Sequence, residues 1–299
     1  MVPTADRLLI VSPVYNEAAH IDRTARAIAA QTRRPDRWVI VDDGSTDDTV
    51  AVARRWEREL DFLTVIEAPQ EVGPGADNLA LARPPRAFNL GLEHAGWRDY
   101  EFAGKLDGDV ELPPGWYETL LERFASDPRL GVAAGRLAEP TPAGWTKIPI
   151  PAIHVHGAVK LYRRGCLEAI GGIQERLGWD TIDETYARMR GFKAWSFPDL
   201  LAIHHRPLGS ADGTVRGHAR HGECAYIAHF TPTWIALRAF KVGRRRPVGL
   251  SGIAFFYGYV RAALRRVDRV PDPEFRRFTH MHLRRRMLAA VVSPLRGAR

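Results

Sequence analysis

Trp38-Val39-Ile40-Val41-Asp42-Asp43-Gly44-Ser45 sets four apolar residues against two carboxylates and a glycine. So short a run suits a buried parallel strand better than a helix. Thr46-Asp47-Asp48 behind it can cap a helix reaching about Leu60. The unit repeats outward. Leu8-Leu9-Ile10-Val11, closed by Pro13, predicts a first strand, with a helix from Glu17 to about Gln31. Leu63-Thr64-Val65-Ile66 predicts a third. Ala68 to Pro85, which contains Gly73-Pro74-Gly75, reads as a mobile loop, and helical spacing resumes from Arg86 to Ala95. Phe102 to Leu106 predicts a fourth strand running into Asp107-Gly108-Asp109, followed by a helix through Trp116, Leu120, Leu121 and Phe124. Four alternations of strand and helix predict an α/β fold with a doubly wound, mostly parallel sheet.

The 299 residues, 45% hydrophobic and 26% charged, can form one large domain or two fused subdomains. Cys166 and Cys224 form no CxxC pair, which argues against a disulfide framework or zinc ribbon and for a reducing compartment. Asp6 and Arg7 stand directly before a short apolar run, with no cleavage site of small residues, so a cytoplasmic chain is expected. The net charge of +8 is uneven: Lys241 to Arg299 holds 15 Lys/Arg against 3 Asp/Glu. That placement argues against a core built for nucleic acid and for a basic tail with its own partner. Within the tail, Val248 to Val260 is mostly apolar, with Phe255, Phe256, Tyr257 and Tyr259, and Arg261, Arg265, Arg266 and Arg269 follow. The run is shorter than the roughly 20 residues a spanning helix needs. Two readings stand: an interfacial helix on anionic lipid, or an amphipathic helix closing the core.

Open parallel sheets bind ligands beyond the carboxyl ends of their strands. Three acidic clusters lie there: Glu17, Asp42 with Asp43, and Asp107 with Asp109. Any one could merely cap a helix. In Asp107-Gly108-Asp109, however, the glycine permits a sharp bend and close approach of a ligand. Hard oxygen ligands of this kind suit Mg²⁺ or Mn²⁺, whose shells are completed by phosphates and water.

At this point the chain resembles the family 2 glycosyltransferases with the GT-A fold. Val11-Ser12-Pro13-Val14-Tyr15-Asn16-Glu17 is similar to that family's opening strand and loop, and Val41 to Thr49 to its uridine-binding strand end. Arg86-Ala87-Phe88-Asn89-Leu90-Gly91 is similar to its Arg-Asn-x-Gly helix, and Lys105 to Asp109 to its metal-binding DxD. His156-Gly157-Ala158, Tyr162-Arg163-Arg164 and Ile170-Gly171-Gly172 look like its acceptor-side strand and helix, so the resemblance reaches about residue 205.

The resemblance implies an inverting, metal-dependent transfer of one sugar from a nucleotide-sugar to a hydroxyl on a glycan or lipid-linked acceptor. The implied donor contacts are Pro13, Tyr15, Glu17, Asp42, Asp43, Arg86, Asn89, Lys105 and Asp107, with Gly157 on the acceptor side. Lys193 to Phe197 predicts a further strand and Asp199 a loop, and Ile203-His204-His205-Arg206 follows; Asp109, Asp107 and one of these histidines, His205, would hold Mn²⁺ or Mg²⁺ by the resemblance. Arg86 or Lys105 would pair with Asp107 or meet a phosphate. Counting back from Gly191-Phe192 puts Asp180 at the family's catalytic base, with Trp179 where the family has Glu; Asp183 and Glu184 are rivals. Residues 1–109 would form the donor-binding half, 110–230 the acceptor half, and 231–299 a helical extension, peripheral on the inner face of the cytoplasmic membrane. The absence of Gln-x-x-Arg-Trp favours single addition over processive synthesis. Two rivals remain: a nucleotidyltransferase, against which the lack of a Gly-rich loop after the first strand counts, and a non-catalytic carbohydrate or membrane scaffold, suggested by Trp179.

Overall fold

The computed structural model describes residues 6–69, 82–141, 144–206, 213–244 and 248–296. The chain divides into two compact units, Met1–Pro207 and Leu208–Arg299. The second unit thus begins well before the expected tail at 231.

The first unit runs β1 (Leu8–Val14), α1 (Ile21–Ala29), β2 (Arg37–Asp42), α2 (Thr49–Glu59), β3 (Leu63–Glu67), α3 (Arg83–Ala95), β4 (Phe102–Lys105), β5 (Val110–Glu111) and α4 (Trp116–Ser126). It continues through β6 (Leu130–Thr141), β7 (Gly144–Lys147), β8 (Leu161–Arg163), α5 (Arg164–Ala169), α6 (Trp179–Met189) and β9 (Lys193–His204). The strand order is β3-β2-β1-β4-β8-β6-β9-β5, with β7 on β6. The first four strands are parallel and β6 pairs parallel with β9, whereas β8, β5 and β7 run antiparallel to their neighbours. The sheet is therefore mostly parallel, as expected. Leu8 to Val11 and Trp38 to Val41 are wholly enclosed at its centre. Gly91 lets α3 lie directly on it, because a Cβ there would come within 2.4 Å of Val11.

Four expectations need correcting. Pro13 does not end β1, which continues to Val14. Pro13 pairs only with β2, since β4 stops opposite Val11, so its missing N–H costs no ladder bond on that side. The first helix begins at Ile21 rather than Glu17. The preceding residues are tied to the loop after β2: Asn16 N–H donates to Ser45 Oγ (2.9 Å) and Glu17 N–H to Thr49 Oγ1 (2.7 Å). Third, α3 starts at Arg83, because Pro84 and Pro85 fall in a first turn that needs no N–H. Of the expected mobile loop, residues 70–81 lie outside those described. Finally, Lys193 to His204 is one strand rather than a strand ending at Phe197 with a loop at Asp199. Asp199 sits in a bulge, where Ala134 faces Ser196 but Arg136 faces Leu201.

The second unit contains α7 (Thr214–Ile227), α8 (Pro232–Val242), α9 (Leu250–Leu264) and α10 (Pro273–Arg296). Helices α7 and α9 touch backbone to backbone. A Cβ on Gly222 would fall 1.9 Å from the Phe255 carbonyl oxygen, and one on Gly258 1.8 Å from that of Ala219. The buried face of α9 includes Ala254, Phe255, Gly258, Tyr259 and Ala262.

Candidate active site

The chain leaves β1 for β2 and β3 on one side, then returns to β4 on the other. The carboxyl ends of β1 and β4 therefore diverge into a crevice, the place where a doubly wound sheet receives ligands. Pro13 and Tyr15, at and just after the end of β1, are half-buried there.

Asp42 closes β2 with one oxygen committed and one not. Its Oδ2 accepts from the backbone N–H groups of Gly44 and Ser45, both at 3.0 Å, whereas Oδ1 is buried without a hydrogen-bond partner. A buried, unsatisfied acceptor costs free energy until a donor arrives. Asp43 turns the other way, 3.8 Å from Arg83, and burial pushes its carboxyl above the ordinary range. Asp43 and Arg83 line a cavity of about 360 Å³ with Arg86, Asn89 and Glu175. Arg86 meets Glu175 at 3.5 Å, and the Asn89 amide donates to Ile173 O (2.9 Å) and Glu175 Oε1 (3.1 Å). Arg83 was missed in the sequence, although it precedes Arg86 by three positions on one helical face.

Lys105, and not Arg86, pairs with Asp107. Gly108 makes the turn possible, since a Cβ there would approach Val14 Cγ1 to 2.9 Å and Glu17 Cγ to 3.1 Å. Asp109 is buried. Its Oδ1 lies 3.3 Å from His204 Nε2, and its Oδ2 accepts from Arg206 Nε at 2.9 Å. Arg206 also donates to Glu17. Burial alone would raise the Asp109 carboxyl, but hydrogen bonds and charge from His204 and Arg206 hold it well below the carboxylate range. Glu17 goes the opposite way: burial, then the charge of Asp109, pushes it to about 8 against the pull of Arg206. His204, which burial would lower, is raised to about 9 by its bonds to Asp109 and Glu139.

The expected His205 does not face Asp109. Its Nε2 pairs with Glu111 Oε2 at 2.9 Å, and its ring lies against those of His20 and Trp145. His204, the last residue of β9, pairs with Val110, the chain neighbour of Asp109, and from there its ring reaches the Asp109 carboxylate. Asp109, His204 and the buried, unpartnered Oε2 of Glu17 supply oxygen and imidazole donors, the chemistry that Mn²⁺ or Mg²⁺ accepts, without being gathered around one point. Among the described residues no three His, Cys, Asp or Glu side chains form a ready-made metal cage.

A short segment joins this turn to the rival carboxylates. Lys105 N–H donates to Lys160 O (2.7 Å) and Asp107 N–H to Ala158 O (2.9 Å). On the other side of the segment, a Cβ on Gly157 would lie 3.0 Å from the Trp179 ring and 3.5 Å from Asp180 Cβ. Asp180 is half-buried in the first turn of α6, and its backbone carbonyl accepts from Lys160 Nζ at 2.5 Å. Asp183 is enclosed: both oxygens accept from Lys160 Nζ at 2.8 Å, and Tyr162 donates to it as well. Glu184 is equally sequestered, accepting from Val155 N–H (2.7 Å) and meeting Arg188 at 3.0 Å. The Trp179 indole has two ammonium groups within cation–π reach, Lys105 at 5.7 Å and Lys160 at 5.3 Å from the ring centroid.

Comparison with known proteins gives the family and the fold. The profile of the family described as Glycosyl transferase family 2 matches residues 9–163. The succinoglycan biosynthesis protein ExoA of Rhizobium meliloti is 23% identical over 264 residues, covering 79% of this chain and 78% of ExoA. The glycosyltransferase AglE of Haloferax volcanii is 29% identical over 120 residues, 40% of this chain and 35% of AglE. The dodecaprenyl-phosphate galacturonate synthase of Rhizobium johnstonii is 32% identical over 111 residues, 36% of this chain and 29% of that protein. The chain thus spans only about a third of AglE and of the synthase. Among solved structures, the mannosyltransferase PcManGT from Pyrobaculum calidifontis, in complex with GDP-Man and Mn²⁺, superposes with a TM-score of 0.55 at 21% identity, covering 98% of this chain and 88% of that one. Residues 1–349 of S. aureus TarS with UDP-GlcNAc give 0.52 at 17% identity, covering 85% and 71%. At these identities the structural likeness shows the fold, a mostly parallel GT-A sheet.

Proposed function

The chain belongs to glycosyl transferase family 2, and from that premise we propose that it moves one sugar from a nucleotide-sugar to an acceptor hydroxyl in a single inverting displacement. The observation that carries the proposal is the shared segment 157–160. It hydrogen-bonds to Lys105 and Asp107 on one side and packs against Trp179 and Asp180 on the other, which supports a leaving diphosphate and an acceptor hydroxyl meeting in one crevice.

Each chemical need then has a residue. The unpartnered Oδ1 of Asp42 accepts a hydrogen bond from the base or ribose of the donor. Arg83 and Arg86 present positive charge in the adjoining cavity. Asp109 and His204 would hold Mn²⁺ or Mg²⁺, with Asp107 close by, and a bound ion of that kind neutralises charge on a leaving diphosphate. Asp180 takes the acceptor proton as attack proceeds, a contribution of about 10² to 10⁴ in rate. Asp183 serves as a structural counter-ion, because Lys160 and Tyr162 occupy its oxygens. One displacement assisted by one base inverts the anomeric centre.

The acceptor is proposed to be a lipid-linked or cell-surface glycan precursor, met at the inner face of the cytoplasmic membrane. Similarity to a succinoglycan biosynthesis protein and to a dodecaprenyl-phosphate galacturonate synthase, together with the basic C-terminal unit, supports that reading. The test is release of nucleoside diphosphate from a panel of nucleotide-sugars with Mn²⁺ or Mg²⁺, repeated with EDTA and with Asp109→Ala. Release from one donor, abolished by both treatments, is the expected result. Release that survives both would overturn the metal assignment, and failure of every donor to bind or turn over would overturn the transfer reading.

A further inference from the structure

The large apolar side chains that the described residues leave exposed are concentrated in the second unit. Trp145 and Trp195 are the only two outside it. Within the unit they gather on the α8–α9 hairpin, where Phe240 is 66% exposed, Val248 73%, Ile253 68% and Tyr257 58%. Scattered exposed apolar residues are ordinary, but a contiguous patch of them marks an interaction surface.

The hairpin is built to present them. Gly252 packs directly on α8, for a Cβ there would fall 2.4 Å from Ala239 O and 2.9 Å from Gly243 Cα. One face of α9 is thereby consumed by α7 and α8, and Leu250, Ile253, Phe256 and Tyr257 are left on the other. Between Phe240 and these residues lies an apolar cavity of about 690 Å³, with Arg244 at its edge.

Cations surround this apolar face. The Arg244 guanidinium stacks 4.2 Å from the Phe240 ring centroid, and Arg261 lies 5.9 Å from that of Tyr257. Arg265 and Arg266 are exposed at the end of α9. No helix among the described residues is long and apolar enough to cross a membrane. We propose that the α8–α9 face docks on an anionic lipid bilayer, with Phe240, Ile253, Phe256 and Tyr257 entering the acyl boundary while Arg244 and Arg265 meet lipid phosphates. Charge decides between this occupant and a second copy of the chain. A copy would bring 15 Lys/Arg and 3 Asp/Glu of Lys241–Arg299 against the same excess, whereas an anionic surface neutralises it.

Docking keeps the covalently joined catalytic unit at a surface where lipid-linked acceptors are concentrated. It deepens the proposal of a membrane-delivered acceptor. Its test reads vesicle binding rather than turnover, so either can fail alone. The full chain is floated with vesicles of phosphatidylcholine and of phosphatidylcholine mixed with phosphatidylglycerol. Binding is expected only with the mixture, and salt should weaken it. Arg244→Glu with Arg265→Glu should reduce partitioning about 25-fold, at about five-fold per arginine. Ile253→Asp with Phe256→Asp should reduce it by about two orders of magnitude or more. Circular dichroism and donor hydrolysis should match wild type in both variants. Should a variant misfold, the salt and lipid dependence of the wild type still decides. Equal binding to neutral vesicles, no binding to either kind, or a dimer in sedimentation that the Ile253→Asp/Phe256→Asp variant dissolves would overturn the proposal.

Discussion

Replacing Lys160 with Met should unmask a buried charge. Lys160 is fully enclosed; its Nζ holds both oxygens of Asp183 at 2.8 Å and the carbonyl of Asp180 at 2.5 Å. Methionine fills much of the volume but leaves Asp183 with Tyr162 and the Glu184 N–H as donors. Removing one partner of a buried pair costs about 3–5 kcal/mol. The loss should depend on pH. Burial already pushes the Asp183 carboxyl above its ordinary value while the Lys160 ammonium pulls it back, so the variant should raise it further. A carboxyl raised above its unfolded value holds its proton more tightly in the native state, so native stability falls as pH rises from the unfolded value through the folded one. Urea denaturation followed by near-ultraviolet circular dichroism should therefore show the variant far less stable than wild type at pH 8, and less so at pH 5. Lys160→Met with Asp183→Leu should recover most of the loss, because the orphaned charge is gone. A cost below about 1 kcal/mol, or one independent of pH, would refute the argument that Asp183 is ionised against Lys160.

Three further outcomes follow from the site. Asp180→Asn should lower kcat by about 10² to 10⁴ with donor affinity unchanged in calorimetry, whereas an equal loss of donor binding would move the base elsewhere. His204→Ala should raise the Mn²⁺ concentration for half-maximal turnover at least about ten-fold, and His205→Ala should leave it near wild type; the reverse order would restore His205 as ligand. Burial pushes His156 down to about 3, so it remains neutral in the native state. A histidine lowered in this way contributes stability that is complete above its unfolded value near 6.5 and is lost as pH falls towards 3. His156→Gln should flatten the acid limb of the stability curve measured by thermal melts between pH 7 and about 4.5, and an unchanged limb would mean that the imidazole titrates freely.

Much of this was legible because strand ends advertise themselves. Four apolar residues stopped by Asp42-Asp43-Gly44, or a run ending in Asp107-Gly108-Asp109, state both the strand and the side on which ligands arrive. Contacts set by tertiary pairing left no such mark. Whether His204 or His205 faces Asp109 depends on β9 passing through its bulge unbroken and meeting β5 in one register. Arg206, nearly 190 positions from Glu17, becomes its partner only when that register brings β9 beside the turn. Nothing in the sequence singles out Lys160, and only the packing of α6 encloses it with Asp183 and Glu184. The helix start at Arg83 was hidden by Pro84-Pro85, which usually punctuates loops but is equally at home in a first turn.

The backbone contact of α7 with α9 has a consequence for divergence. Because Gly222 and Gly258 let the main chains of these helices meet, their spacing is set by peptide groups rather than by side-chain volumes. Substitutions at Ile253, Phe256 or Tyr257 on the opposite face leave that spacing untouched. The outward surface is thus free to drift, acquiring or shedding aromatic and aliphatic groups as its surroundings change, while two immovable glycines preserve the scaffold beneath it.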